Sequence, residues 1–160
     1  MVLLNAKPIR VGVISDTHGL LRSEAVSKLR GVDSIIHAGD IGSPEVIQEL
    51  GRIAPVTAVR GNIDIHEWVC PFPATAVLEI GGIFLYILHN LDELNLDPRA
   101  SGFSAVISGH SHQPRQELRK GVLYFNPGSA GPRRFRLPVA LGILTIEVTS
   151  ISGEIIELTV

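Results

Sequence analysis

Apolar residues fall along this chain in short runs, and each run is closed by a polar or glycine-bearing segment. Short runs rich in β-branched residues read as buried strands, and apolar residues at helical spacing read as amphipathic helices. On that basis Ile-Arg-Val-Gly-Val-Ile-Ser at 9–15 is a strand. Residues 22–30 form a helix, with Ala25, Val26 and Leu29 on one face and Gly31 as its stop. Residues 34–38 form a second strand. Ser43-Pro44-Glu45 starts a second helix, with Ser at the cap and Pro at the first helical position; Val46, Ile47 and Leu50 supply its apolar face. Residues 56–59 make a third strand. This strand–helix alternation favours parallel pairing through right-handed crossovers.

After that the pattern changes. Residues 76–80 and 83–88 predict a hairpin around Gly81-Gly82, followed by a short helix at 92–96 and a buried strand at 105–108. Residues 122–125, 142–149 and 154–160 read as further strands, the last two joined at Ser152-Gly153. One half rich in strand–helix units and one rich in hairpins predict an α/β protein with two sheets packed face to face and helices outside. No repeat, linker or low-complexity segment is visible, so residues 1–160 read as one domain.

Composition narrows the function. Hydrophobic residues make up 45% and the mean hydropathy is +0.29, which excludes a disordered chain. Charged residues are 19% with a net charge of −2. A generic nucleic-acid surface needs a basic excess, so none is expected. The most lipid-like stretch, 74–88, is broken by Thr75, Glu79 and Gly81-Gly82, and falls short of the roughly 20 residues needed to span a bilayer. The opening MVLLNAKPIR lacks the basic and long apolar regions of a secretory signal, and Cys70 has no partner for an internal disulfide. The expected location is the cytoplasm.

The chemistry sits where the apolar runs end. Asp16-Thr-His18, Gly39-Asp40, Gly61-Asn62, His89 and Gly109-His110-Ser111-His112 each follow a predicted strand. Taken singly, Gly-Asp or Gly-Asn is an ordinary turn. Together, seven N and O donors at strand ends can meet on one rim of a sheet and hold two divalent cations. Carboxylate, imidazole and amide oxygen without thiolate suit Mn, Fe, Ni, Zn or Mg rather than a structural zinc knot. Gly39 and Gly109 let the backbone come close to a crowded centre.

The order D-x-H, G-D, G-N, H, G-H-x-H resembles the calcineurin-like metallophosphoesterases, and within them the small bacterial and archaeal phosphodiesterase branch. Val59-Arg60-Gly61-Asn62-Ile63-Asp64 and Asn126-Pro127-Gly128-Ser129 support the match, which runs from Arg10 to about Thr149. The resemblance implies a four-layer α/β/β/α sandwich of two mixed sheets. It also implies two metal sets bridged by Asp40. Asp16, His18, Asp40 and His112 form one; Asp40, Asn62, His89 and His110 form the other. Mn²⁺ is the leading candidate ion. The implied activity is hydrolysis of a small phosphate diester by a hydroxide shared between the ions, with Asp40, Asn62 and His110 central to the reaction. The same fold resembles a retromer scaffold subunit that binds partners instead, but that subunit departs at the Gly-Asp and Gly-Asn positions kept here.

Two departures stand out. Asn90 follows His89 where the branch carries glycine; if glycine serves a left-handed backbone there, asparagine is the least costly replacement. Ile63 follows Asn62 where many relatives place a proton-donating histidine; His66 is the nearest substitute as general acid. His37 reads as a packed residue behind the ligands, Arg133 and Arg134 as either phosphate clamps or solvated charges, and Trp68 and Phe72 as packing. Ile151, Ile155 and Ile156 could face a second copy in a homo-oligomer or pack internally.

Overall fold

The computed structural model describes residues 7–160. Most of the opening segment in which no secretory signal was read lies outside them.

Ten strands form two five-stranded sheets. The first sheet contains β1 (Ile9–Ile14), β2 (Ser34–His37), β3 (Val56–Ala58), β9 (Ala140–Glu147) and β10 (Ser150–Glu157), in the order β10-β9-β1-β2-β3. The second contains β4 (Thr75–Ile80), β5 (Ile83–Leu88), β6 (Ala105–Ile107), β7 (Arg115–Arg119) and β8 (Val122–Asn126), in the order β4-β5-β6-β8-β7. Both are mixed. β1, β2 and β3 run parallel, as do β5, β6 and β8, with antiparallel strands at the flanks.

The expected sandwich is present. Val11, Val13, Ile36, Leu144 and Ile146 of the first sheet meet Leu85, Ile87, Ile107, Leu123 and Phe125 of the second. Helices α1 (Ser23–Leu29) and α2 (Pro44–Gly51) cover the outer face of the first sheet, burying Ala25, Leu29, Val46 and Leu50 against Ile14, Ile35, Leu141 and Ile143. The outer face of the second sheet is covered by Leu91, Leu94, Leu96 and Phe103 from one connecting segment. Within it, the expected helix at 92–96 is a single 3₁₀ turn at Leu91–Glu93. Ser43 occupies the cap of α2, and Pro44 its first turn, but the serine side chain makes no capping hydrogen bond.

The last hairpin departs from its expected position. β9 and β10 turn at Val148-Thr149, while Ser152-Gly153 lies inside β10, Gly153 opposite Leu144. Gly153 and Gly142 are small because the Phe125 ring presses on both; a Cβ at either would overlap it. Glycine here signals close packing rather than a turn. Ile151 and Ile155 pack into the core between the sheets and Ile156 against the helix-side core, so they serve internal packing. β7 carried no apolar signature: Arg-Gln-Glu-Leu-Arg is an exposed edge strand whose charges discourage further pairing. By contrast Gly81 and Gly82 both have positive φ, at 60° and 79°, as a tight hairpin requires.

Candidate metal centre

The parallel strands of both sheets end at one rim, and the loops leaving them carry the predicted ligands. Asp16 and His18 follow β1, Asp40 follows β2, Asn62 lies beyond β3, His89 follows β5, and His110 and His112 follow β6. The backbone there is unusual. Asp16, His18, Asp40, His110 and His112 all lie in the left-handed region, with φ of 55°, 47°, 54°, 70° and 61°. Each such residue costs about 1–3 kcal/mol and persists only where its surroundings hold it.

Those surroundings are hydrogen bonds from polar residues behind the rim. The Ser15 hydroxyl donates to Asp16 Oδ2 at 2.6 Å, and the His110 N–H donates to the same oxygen at 3.1 Å. Asp16 Oδ1 is thereby turned toward the histidines. Ser129 Oγ donates to the Asp16 carbonyl at 3.0 Å. Asn126 Nδ2 donates to the Gly109 carbonyl at 2.9 Å, pinning the loop of His110 and His112. Asp64 is buried and accepts the N–H groups of Ile41, Gly42 and Gly61 at 3.0, 3.0 and 2.8 Å, which ties the Asp40 loop to the Asn62 loop. A Cβ on Gly61 would overlap Asp40, and one on Gly109 would overlap Ser15. Ser15, Asp64, Asn126 and Ser129 had no role assigned from sequence, although the Gly-Asn-x-Asp and Asn-Pro-Gly-Ser patterns marked three of them.

The functional atoms converge. His112 Nε2 lies 3.2 Å from Asp16 Oδ1, and His18 Nε2 lies 3.9 Å from it. Asp40 Oδ2 is 3.3 Å from His89 Nε2 and 3.7 Å from His18 Nε2. His89 Nε2 also lies 3.8 Å from Asp16 Oδ1, so the donors form two overlapping groups, Asp16–His18–His112 and Asp16–Asp40–His89. His110 is exposed but stands edge-on to His89, ring centroids 5.1 Å apart. Asn62 is exposed, between Gly61 and an Ile63 whose N–H donates to Asp40 Oδ1 at 3.1 Å.

Whether these residues fit a metal can be judged from what they lack. Asp16 Oδ1, His18 Nε2 and His89 Nε2 are buried without a hydrogen-bond partner. Asp16 and Asp40 are 0% and 3% exposed, and among the described residues neither pairs with lysine or arginine. Buried carboxylates facing unpartnered imidazole nitrogens need a cation. The tautomers agree. His89 Nδ1 donates to the Ala38 carbonyl at 2.7 Å, which frees Nε2 as a lone-pair donor. The donor set therefore fits divalent metal.

Electrostatics point the same way. Burial alone would raise the Asp16 carboxyl, but the facing His112 imidazole, the Ser15 hydroxyl and the nearby histidine charges outweigh it, and its pKa falls. Asp40 likewise falls, burial being opposed by His89, the Ile63 N–H and the charges of His89 and His18. His89 rises: burial is outweighed by Asp40, Asp16 and the Ala38 carbonyl. Behind them His37 is fully buried. Its Nδ1 accepts from the Gly39 N–H at 3.1 Å and Nε2 lies 3.0 Å from Thr17 Oγ1. Burial lowers its pKa to about 4, so it is a neutral prop between the Asp16 and Asp40 loops.

Other expectations resolve differently. Asn90 has φ −110°, not the left-handed backbone; its Oδ1 accepts from the Asp92 N–H at 3.0 Å and caps the 3₁₀ turn. His66 is exposed on a hollow lined by Arg60, Asp64, Glu67 and Cys70 and by none of the candidate ligands. Trp68 and Phe72 pack against the helix-side core. A cavity of about 250 Å³ opens beside His110, with Asn90, Arg115, Tyr124 and Asn126 among its walls.

The sequence model of the calcineurin-like phosphoesterase superfamily domain matches residues 9–149. The chain belongs to this superfamily. A probable metallophosphoesterase of the archaeon Methanothermobacter thermautotrophicus is 32% identical over 159 residues, covering 92% of this chain and 91% of the relative. Among solved structures, one described as a novel archaeal phosphodiesterase superposes with a TM-score of 0.77 at 26% identity, covering 92% of this chain and all of the other. Vacuolar protein sorting 29 from Cryptosporidium parvum superposes with a TM-score of 0.82 at 20% identity over 96% of this chain and 93% of the other, which shows a shared fold. The chain is thus a metallophosphoesterase by family. No helix among the described residues is long and apolar enough to cross a membrane.

Proposed function

We propose that this metallophosphoesterase is a phosphodiesterase that works with two divalent ions, Mn²⁺ foremost. The observation that carries the reading is the meeting of buried, unpartnered Asp16 Oδ1, His18 Nε2 and His89 Nε2 around two carboxylates without a basic counter-charge. Asp16, His18, Asp40 and His112 would hold one ion; Asp40, Asn62, His89 and His110 would hold the other. The family pattern would give Asp40 the bridging role, and its Oδ2 faces one histidine of each set at 3.7 and 3.3 Å; Asp16 Oδ1 also faces both sets, His18 at 3.9 Å and His89 at 3.8 Å. When bound, such ions supply Lewis acidity and make water a nucleophile near neutral pH.

The chain's own residues do the remaining work. Ser15, Ser129, Asn126 and Asp64 fix the ligand loops before substrate arrives, so little reorganisation accompanies reaction. His110, exposed beside the cavity, would present the second ion to that space. In balance, the oxygen of water forms a new bond to phosphorus, the ester P–O bond breaks, and the leaving oxygen takes a proton. Ile63 offers no proton, and His66 lies on a separate hollow. The enzyme therefore favours leaving groups that are weak bases, and nitrophenyl diesters should turn over faster than alkyl diesters.

The likeness to vacuolar protein sorting 29 raises a binding role without turnover as the rival. One experiment separates them: hydrolysis of bis-p-nitrophenyl phosphate by chelator-stripped protein titrated with Mn²⁺, beside Asp40→Asn. Metal-dependent turnover lost in the variant supports the diesterase. A folded protein inert with every divalent metal would sink it.

A further inference from the structure

The loop between Ser129 and β9 carries a charge pattern found nowhere else in the chain. Arg133, Arg134 and Arg136 surround Phe135, and no aspartate or glutamate occurs from Gly121 to Ile146. All four side chains are exposed, and none of the three guanidiniums forms an ion pair among the described residues. By contrast Arg115 and Arg119 are both committed to Glu117, at 3.2 and 2.9 Å. Phe135 is 88% exposed and has φ 53°. A bulky residue in the left-handed region that is also fully presented to solvent gains nothing from packing.

This loop is rooted on the candidate metal centre. Gly131 sits so close to the Asp16 and Thr17 carbonyls that a Cβ there would overlap both. Arg22 donates from Nε and Nη2 to the Gly131 carbonyl at 3.2 Å each, and the Ala130 N–H donates to the Ser15 carbonyl at 3.0 Å. The segment carrying the three arginines and Phe135 therefore leaves directly from the ligand loop of β1, Arg133 two residues past Gly131, in a protein whose net charge is −2.

Resting on the diesterase reading, we propose that residues 132–137 form a substrate arm for single-stranded nucleic acid. The guanidiniums take phosphates flanking the one at the metal centre, and Phe135 stacks on a base. Arginine suits phosphate through its rigid donor fork, and exposed aromatics beside basic residues are the usual platform for unpaired bases. A duplex would need a wide basic face, which the composition does not provide; a short strand needs only this local one. The natural diester selected by binding is then a short oligonucleotide, cleaved by water at one internal phosphodiester to give a phosphomonoester end and a hydroxyl end; its sugar alkoxide leaves less readily than nitrophenolate, so the arm raises affinity rather than the rate of bond breaking.

The test uses a fluorescein-labelled hexathymidylate. Its anisotropy is measured with chelator present, for wild type, for the triple variant Arg133→Ala/Arg134→Ala/Arg136→Ala, and for Phe135→Ala. Wild type should bind. The triple variant should bind at least tenfold more weakly, with the slope of log affinity against log salt reduced by roughly 2, about 0.7 per lost phosphate contact. Phe135→Ala should weaken binding by roughly fivefold or more, the effect of losing one stacked base. With Mn²⁺, the ratio of kcat/KM for hexathymidylate to that for bis-p-nitrophenyl phosphate should fall at least tenfold in the triple variant. No binding by wild type at low salt overturns the arm. So does an unchanged ratio with both activities falling together, which would make the loop a mere support for Asp16. Salt-dependent binding lost in the variants, but no turnover of either ester by wild type, would instead strike the diesterase reading and leave the arm standing.

Discussion

Between the sheets, Val11, Val13, Ile36, Ile87 and Ile107 sit in extended strands and pack into one apolar cluster. Only a few residues further along the same strands, Asp16, His18, Asp40, His110 and His112 turn left-handed, and the side chains at the rim face one another as unpaired donors and acceptors. The interior minimises local conflict; the rim concentrates it. Backbone strain and buried charge are tolerable there because stiff strands and props such as Asp64 hold the loops, and a cation would satisfy what the protein leaves unmatched. The chain thus places its least stable local structure on its most stable scaffold.

The largest effect expected from that contrast is at the rim, on activity rather than on folding. Asp16→Asn or Asp40→Asn should lower kcat/KM on a nitrophenyl diester by at least a thousandfold, as removal of a central charge-stabilising group does, on the order of 4 kcal/mol. The metal-free variants should lose far less stability than activity: the lowered carboxyl pKa values mean that the charges contribute something to the fold, but the ligand loops are held as well by Ser15, Asp64 and Ser129. Added Mn²⁺ should raise the Tm of wild type but not of the variants. A variant much less stable than wild type without metal would mean that the carboxylates support the fold, and the contrast would fail. The raised pKa of His89 adds a sign: its proton competes with metal, so metal affinity should strengthen as pH rises through that pKa.

In the interior the expected effect reverses, with stability lost first. Phe125 is 1% exposed and is clasped by Gly142 and Gly153. Phe125→Ala should cost about 3–5 kcal/mol in chemical denaturation. Gly153→Val should also destabilise, because its side chain would meet the ring. A small loss for either would show that the sheets repack more freely than their contacts imply.

These two regions also differ in how far the sequence reveals them. The strands of the interior were legible because burial on both faces leaves continuous apolar runs, and the ligands were legible because each run ends in a metal-competent residue. β7 was not, since an exposed edge strand is selected for charge. The last hairpin was misplaced because Gly153 resembles a turn residue until the Phe125 ring from another strand is known. The left-handed backbone at five ligands had only a faint signature: Asp and His are enriched there, but too weakly to single out these five. Asn90 shows the converse, a residue able to adopt that backbone which caps a turn instead.

Where the two regions meet, His37 ends β2 with its ring fully buried behind the ligand loops. Its pKa is lowered to about 4 from 6.5. The unfolded chain therefore binds a proton that the folded chain refuses. The stability linked to this residue is complete above about pH 6.5 and lost progressively as pH falls toward 4, a change of about 3 kcal/mol. His89, whose pKa is raised, acts oppositely and only at higher pH; Asp16 and Asp40, whose pKa values are lowered, contribute mainly below that window. Urea midpoints of metal-free protein between pH 4 and 7 should show the slope, and His37→Gln should flatten it. An equal slope in both proteins would assign it elsewhere.

The smallest effect sharpens the claim that strain belongs at the rim. Val148 is also left-handed, at φ 57°, but it lies in the β9–β10 turn and is 74% exposed. No ligand explains it; the two-residue hairpin turn does, closed by Ser150 Oγ donating to the Glu147 carbonyl at 3.0 Å. A β-branched residue there costs roughly 1–2 kcal/mol relative to an unstrained one, whereas glycine adopts the same φ freely. Val148→Gly should therefore stabilise the protein, by about 1 kcal/mol after glycine's greater freedom in the unfolded chain is counted, with kcat/KM unchanged. His110→Gly relieves the same kind of strain but deletes a candidate ligand, so it should lose activity while the fold holds. If Val148→Gly instead destabilised the protein, left-handed backbone would be tolerated in this fold generally, and its concentration among the ligands would lose its functional meaning.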